Sequence, residues 1–181
     1  MDRRQRKTRE AIFQAFTGLL SQKDYTRITV GEIIQQADVG RATFYAHFET
    51  KEFLLREFCR ELFCHVLDAA CGARHRHIFD CEGKEDVFLH LLIHLQRNDN
   101  NILALLNSPN NALFLQYFAR ELSGMVEQLL PQLENRRPEG LPDSFWQEHI
   151  TATFVQTLQW WLQNGQKESP QCICQYFFAV L

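Results

Sequence analysis

The chain has 181 residues, of which 45% are hydrophobic and 23% are charged. This composition is typical of a globular protein and argues against a disordered or fibrous one. The net charge of −3 excludes a general polycation, but residues 1–51 hold nine Lys or Arg against six Asp or Glu, and the remaining residues hold ten against sixteen. A basic amino-terminal part on an acidic body is typical of a protein that presents one end to a polyanion, although a chance fluctuation gives the same counts.

The sequence argues against several classes of protein. No apolar run has the roughly 20 residues that a membrane span needs, and the charged residues 1–10 do not begin a secretory signal. We therefore expect a cytoplasmic protein with no membrane contact, whose six cysteines are thiols rather than disulfides. No HExxH motif, Gly-rich phosphate loop or nucleophile elbow is present, so we predict no enzymatic activity and no cofactor or metal.

Apolar residues recur every three to four positions through most of the chain, which predicts an all-α protein. The first helix is predicted over 4–21. Thr29 then has the position of an N-cap, and Glu32 three residues later completes the pattern of a capping box for a second helix. A tight turn over 38–40 follows, in which we expect Gly40 to adopt the positive φ, because glycine has no Cβ.

A short third helix is predicted over 41–48, and a fourth begins near Thr50, which is a suitable N-cap. The prolines are expected at helix boundaries. The segments with helical spacing beyond residue 50 are 53–73, 87–95, 101–106, 112–133, 143–163 and 169–181. We divide the chain into a three-helix head, residues 1–50, and a helical domain, residues 51–181.

The second and third predicted helices, joined by a tight turn, have the pattern of a helix-turn-helix. Phe44 and Phe48 are four residues apart and are expected to be buried on one face of the third helix. The residues left on its open face are Arg41, Ala42, Thr43, Tyr45 and His47. A short helix with hydrogen-bonding groups and one small residue on its open face is suited to the major groove of DNA.

The same segment resembles the TetR family of bacterial helix-turn-helix transcriptional regulators. The resemblance depends on the string VGRATFYAHF at 39–48, followed by KEFLL at 51–55, and it extends over residues 8 to about 56. The chain departs from the family at Gly40, where Ser is common, and so lacks one hydroxyl at the cap of the third helix. The rest of the chain matches the family only in its layout.

The resemblance implies roles for particular residues. Thr29 is implied to anchor a DNA phosphate at the start of the second helix, and Lys51 to contact the DNA backbone at the start of the fourth. The implied DNA-facing residues of the third helix are Arg41, Ala42, Thr43, Tyr45 and His47. A plain surface position is the alternative for Tyr45 and His47.

A basic arm precedes the first predicted helix, and its residues are Arg3, Arg4, Arg6, Lys7 and Arg9. Such an arm can reach a phosphate or the adjacent minor groove. The alternative is a solvated tail with no partner.

The resemblance further implies that the helical domain binds a small-molecule effector and forms a homodimer through its last two helices. Candidate interface residues, which lie at helical spacing on these two helices, are Phe154, Leu158, Trp161, Ile173 and Phe177. Candidate pocket residues are aromatic and are Phe63, Phe88, Phe114, Tyr117, Phe118 and Trp160. For both sets the alternative is packing within one subunit.

A cluster of cysteines and histidines over 64–81 leaves a different regulator open. Its members are Cys64, His65, Cys71, His75, His77 and Cys81. These residue types bind zinc or copper, but their spacing matches no closed zinc module. Cys172 and Cys174 are too close in sequence for a redox C-x-x-C pair. A sensor of metal or thiol oxidation is therefore the alternative to a small-molecule sensor.

We expect a dimeric DNA-binding repressor that a small molecule releases from a palindromic operator in double-stranded DNA. An enzyme with a catalytic metal in the Cys/His cluster is disfavoured by the missing motifs. A protein-interaction module that lost DNA binding is disfavoured by the intact string at 39–48.

Overall fold

The computed structural model describes residues 3–20, 22–70, 86–97, 106 and 112–181, with the backbone alone at 62, 65–70, 86, 94 and 97. Within these residues the chain is all-α, as predicted, and no strand occurs. The α-helices are α1 Arg3–Leu20, α2 Val30–Ala37, α3 Arg41–His47, α4 Lys51–Ala70, α5 Asp86–Arg97, α6 Ala112–Leu133, α7 Asp143–Gln163 and α8 Pro170–Ala179. Short 3₁₀ helices occupy Tyr25–Arg27 and Glu134–Arg136. No helix in this part of the chain is long and apolar enough to cross a membrane.

The predicted bounds of α6 and α7 agree with the structure. The predicted helix over 101–106 lies outside the described residues except for Leu106. The expectation that every proline marks a helix boundary is wrong at Pro131, which lies inside α6. Proline removes the bond to the carbonyl of residue i−4, here Glu127. Both residues are exposed, so water can replace the lost donor.

The head, α1 to α3, forms its core from one face of each helix. Ile12 and Phe16 of α1, Ile33 of α2 and Phe44 of α3 have no exposed surface. Helix α1 packs on α2, and α2 packs on α3. In the rest of the described chain α4 packs on α5 and α6, α7 packs on α6 and α8, and α8 returns to α5. Helix α4 therefore begins at the head and continues into the helical domain.

The turn between α2 and α3 differs from the prediction. Asp38, the C-cap of α2, has the left-handed conformation with φ 51° and ψ 47°. Gly40 has φ −71° and ψ 150° and is the N-cap of α3. The expectation that Gly40 takes the positive φ is therefore wrong. Aspartate tolerates the left-handed region better than most residues, which explains why the turn does not need glycine there.

Two cations hold the head together from within. The Lys51 ammonium donates to the carbonyl oxygens of Tyr25, at 2.8 Å, and Ile28, at 2.7 Å. It also lies 4.2 Å from the centre of the Tyr25 ring. Burial lowers the pKa of Lys51 from its usual value, although the Glu32 carboxylate opposes the shift. Lys51 thus fixes the 3₁₀ turn and the strand-like residues that lead into α2.

Arg9 connects α1 to the middle of α4. Its guanidinium donates to Glu57, at 2.9 Å, and to Glu61, at 2.6 Å. The same group lies 5.1 Å from the ring centre of Phe13 and 5.0 Å from that of Phe48. A planar cation that stacks on rings while it pairs with two carboxylates orients α4 relative to the head.

We predict opposite responses to substitution at the two ends of the turn. Asp38→Val should lower the free energy of unfolding by roughly 1–2 kcal/mol, because a β-branched residue is strained at positive φ. Gly40→Ser should raise it by a few tenths of a kcal/mol (about 0.3) through a new N-cap hydroxyl. A Cβ at position 40 would meet only Thr43 Oγ1, at 3.6 Å, which is an ordinary contact. Urea denaturation measures both values, and a marked loss of stability in Gly40→Ser would contradict the observed turn.

We also predict that Lys51 stabilises the fold. Lys51→Met should lower the free energy of unfolding by about 1–3 kcal/mol, because two carbonyl groups lose their donor. Arg27→Met is the matched control, since Arg27 is an exposed cation of the same turn, and we expect a change within about 0.5 kcal/mol. Equal values for the two variants in thermal or urea unfolding would show that the Lys51 bonds contribute nothing.

Candidate nucleic-acid interface

The start of α2 is a complete capping box, as predicted. Thr29 Oγ1 accepts from the backbone N–H of Glu32 at 3.3 Å, and the Glu32 carboxylate accepts from the Thr29 backbone N–H at 2.9 Å. The Lys23 ammonium also binds this carboxylate. Lys23 and the Thr29 bonds together lower the pKa of Glu32 from 4.5 to about 2. Thr29 is exposed, but its hydroxyl also donates to Glu32, so a phosphate would have to compete for it.

Helix α3 has one buried face and one open face. Phe44 has no exposed surface, and its ring meets the neighbouring Tyr45 ring edge-on with centres 5.4 Å apart. Tyr45 is 45% exposed. The other exposed residues of the helix are Arg41, Ala42, Thr43 and Ala46. His47 is half-buried, with its ring centre 6.2 Å from that of Phe48.

Ala46 and Arg27 are also exposed, and neither was predicted from the sequence as a residue of this interface. Ala46 follows Ala42 by four residues, and this spacing places both on one face of α3. Arg27 ends the 3₁₀ turn two residues before the cap of α2, is exposed, and takes part in no ion pair among the described residues. Its signal in the sequence is weak, because a lone arginine before a helix is common on any surface.

The predicted basic arm is part of a helix, so its description as a segment that precedes α1 is wrong. Helix α1 begins at Arg3, and Arg3, Arg4 and Lys7 are exposed on its first turns. Arg6 pairs with Glu10 at 3.5 Å. Arg9, with its two carboxylates, faces α4. Lys51, predicted to contact DNA, is likewise engaged within the head.

The candidate pocket residues separate into three groups. Phe63, Phe88, Phe114 and Phe118 are buried and pack against other rings; the ring centres of Phe63 and Phe118 are 5.0 Å apart. They are core residues in the described part of the chain. The Tyr117 hydroxyl donates to Glu52 in the first turn of α4. Trp160 is 41% exposed and lies on the outside, so it does not line an internal pocket with the others.

The candidate interface residues are all in the core of the single chain. Phe154, Leu158, Trp161, Ile173 and Phe177 have at most 1% of their surface exposed. A side chain that is covered by its own chain has no surface to offer a partner. The prediction that these five face a second subunit therefore needs correction, since the helical spacing that identified them reports the interior of the protomer.

The outward face of α7 and α8 carries a different apolar set. Trp160 and Tyr176 touch with ring centres 6.2 Å apart. They line an open groove of about 610 Å³, together with Ala152, Thr153, Gln156, Thr157 and Val180. Phe145 is also exposed near the start of α7.

The Cys/His cluster falls mostly outside the described residues, which include neither Cys71, His75, His77 and Cys81 nor the His65 side chain. Cys64 is described and exposed. Among the described residues, no group of three or more potential ligands is placed to hold a metal ion. Cys172 is half-buried and Cys174 is buried.

Comparison with known proteins gives matches to both parts of the chain. Residues 11–58 match the family described as "Bacterial regulatory proteins, tetR family". Residues 84–181, more than half of the chain, match "Transcriptional regulator C-terminal region" of the same group.

Individual relatives share the whole layout. A TetR transcriptional regulator from Streptococcus agalactiae 2603V is 34% identical, with a TM-score of 0.74 over 99% of this chain and 96% of that chain. The dihydroxyacetone kinase operon activator DhaS has the same fold, with 20% identity and a TM-score of 0.65 over 96% of this chain and 93% of that one.

The HTH-type regulator YxbF of Bacillus subtilis is 24% identical over 189 residues, which cover all of this chain and 46% of YxbF. The chain covers less than half the length of YxbF, and its 66-residue match to YvdT of Bacillus subtilis covers 34% of that relative. The two family matches and the Streptococcus regulator, with the helix-turn-helix at α2 and α3, show that this chain belongs to the TetR family of DNA-binding transcriptional regulators.

Proposed function

We propose that the chain acts as a homodimeric repressor that binds a palindromic operator through α3 and is released by a small molecule. The observation that carries the DNA-binding part is the division of α3 into a buried face at Phe44 and an open face with Arg41, Thr43 and Tyr45. A helix that is fixed to its own core on one side presents the other side with a defined orientation.

The open face of α3 carries side chains that can bind in the major groove of DNA. Arg41 can donate two parallel hydrogen bonds to a guanine, while Thr43 and Tyr45 can bond either to a base edge or to a phosphate. Ala42 and Ala46 keep the centre of the face flat, so the helix backbone can approach the bases closely. The exposed Arg27 adds a cation beside the start of α2, where a phosphate would complete the docking.

The proposed dimer is supported by the size of α3 and by the outward face of α7 and α8. One helix of seven residues reads only a few base pairs, whereas a twofold dimer places two such helices one turn of DNA apart. Phe145, Trp160, Tyr176 and Val180 are 41–65% exposed in the single chain. Of these, Trp160, Tyr176 and Val180 line one groove, and exposed apolar residues that cluster in this way often mark a protein contact.

Release by an effector is supported by membership of a family whose regulators typically act with small-molecule ligands. An effector that binds more tightly to a dimer with the wrong spacing of its two α3 helices would shift the population away from the operator. A regulator of this fold, DhaS, is named an activator. We place repression first, and transcription from a promoter that contains the bound site, measured with and without the protein, decides its sign.

We predict that the open face of α3 determines affinity for DNA. A duplex site is first selected from a random-sequence pool with the full chain. Arg41→Gln and Tyr45→Ala should each weaken binding to that site by about tenfold or more, the range of a lost base contact. Fluorescence anisotropy at several salt concentrations measures the change.

Lys167→Gln is the control for this experiment, because Lys167 is exposed after α7 and its loss removes the same charge. Its affinity should remain within about twofold of the original chain. If Arg41→Gln and Lys167→Gln bind equally well, α3 does not read DNA.

We predict that the outward face of α7 and α8 forms the dimer. The double variant Trp160→Glu, Tyr176→Asp should be a monomer in analytical ultracentrifugation, because the interface would have to bury two unpaired carboxylates at a cost of several kcal/mol (about 3 or more). Gln128→Glu adds one carboxylate on the exposed side of α6 and should leave the dimer intact. A dimer that survives the double variant excludes this face as the interface.

A further inference from the structure

The first turn of α4 contacts both the head and the helical domain through two neighbouring residues. Lys51 bonds to the head, and Glu52 bonds to α6. Neighbouring residues on an α-helix point about 100° apart, so the two side chains can hold different partners at once. Tyr117 was predicted to line the effector pocket, but its hydroxyl binds Glu52, and the proposed contacts with DNA and with a second subunit do not account for this bond.

On the domain side, Tyr117 of α6 donates its phenol hydrogen to Glu52 Oε1 at 2.5 Å. Tyr117 is half-buried and its ring packs against the core. The hydrogen bond to Glu52 raises the pKa of Tyr117 above its ordinary value, while Arg56 and Arg120 oppose the shift. A phenol keeps its proton at neutral pH and can therefore donate to the carboxylate, in a bond that is exposed to solvent.

On the head side, Lys51 binds the carbonyls of Tyr25 and Ile28, and Ile28 is next to Thr29, the cap of α2. The Tyr25 ring packs edge-on against Phe16, with centres 6.3 Å apart. Burial raises the pKa of Tyr25 to about 12, with smaller effects from Glu52 and Tyr117. Lys51 contacts Tyr25, Glu52 follows Lys51 in α4, and Glu52 accepts from Tyr117; we call these four residues the junction cluster.

We propose that Tyr117 is a positioning residue for DNA binding, which holds the first turn of α4 through Glu52 and thereby the turn at 25–28 that leads into α2. The proposal rests on the proposed function, since it assigns the contact by which the helical domain would act on the head. Helix α2 carries α3 with it, because the two pack together.

The geometry makes this contact sensitive to small movements. A hydrogen bond weakens steeply once its atoms separate beyond about 3.2 Å, so a shift of α6 by about 1 Å would release Glu52. The released turn would still keep the Lys51 bonds and the packing of α4 on α6, but it would lose the Glu52 bond that restrains its orientation relative to α6. A population of dimers with differently oriented heads binds a fixed pair of half-sites less well.

A double-mutant cycle tests the proposal. The full chain is prepared as the original protein, as Tyr117→Phe, as Glu52→Ala and as both, and each form is measured for affinity to the selected duplex site and for urea unfolding. We expect each single variant to lose about three- to tenfold in affinity, the effect of one charge-assisted bond, and the double variant to lose no more than either. If the two substitutions couple in urea unfolding but each single variant binds DNA as tightly as the original chain, the proposal is wrong. Tyr117 would then only stabilise the fold.

Two further comparisons separate the explanations. Glu49→Ala removes an exposed carboxylate close to α4, and its effect on affinity should simply multiply with that of Tyr117→Phe. If Glu49 couples to Tyr117 as strongly as Glu52 does, the proposal is wrong and the effect is one of general charge. If the original chain selects no duplex site at all, the proposed function itself is wrong. If the original chain binds its site but the Tyr117 and Glu52 variants bind it equally tightly, only the role of Tyr117 is excluded.

Discussion

The burial of Phe44 and Phe48, four residues apart and both without exposed surface, determines the orientation of α3. Seven residues are too few for a helix to be stable alone, so tertiary packing has to hold it. The same packing decides which residues remain outside: once Phe44 points inward, Arg41, Thr43 and Tyr45 point to solvent. The surface proposed to face DNA is therefore the side of α3 opposite its hydrophobic contact with the core, and a change in that contact would reorient the whole surface.

Helix α4 extends this constraint from the head into the rest of the molecule. Phe48 receives the Arg9 guanidinium on its ring, and Arg9 pairs with Glu57 and Glu61 of α4. Lys51 supplies a second attachment at the beginning of the helix. With α4 tied to the head at two levels, the head and this part of α4 are expected to move together. A displacement of the head relative to the helical domain would then change the contacts of α4 with α5 and α6, among them the bond between Glu52 and Tyr117.

Local signals in the sequence predicted helices and caps well. The bounds of α6 and α7 and the capping box at Thr29 and Glu32 follow from spacing within a few residues. Properties that depend on distant residues were not predictable in this way. Nothing near Lys51 in sequence shows that its ammonium reaches the carbonyls of Tyr25 and Ile28, 26 and 23 residues away. The position of the positive φ in the turn was missed because glycine permits that conformation without requiring it.

The residues predicted to form the dimer interface proved to be core residues for a related reason. A helix that lies between a core and a partner carries two apolar stripes, and hydrophobic spacing selects the stronger. In α7 the stronger stripe contains Phe154, Leu158 and Trp161, which are buried in their own chain. The weaker stripe is interrupted by Gln156 and Thr157 but includes Trp160, beside Tyr176 of α8. A search for a partner surface on a helix should therefore begin with the large apolar residues left over after the core stripe has been assigned.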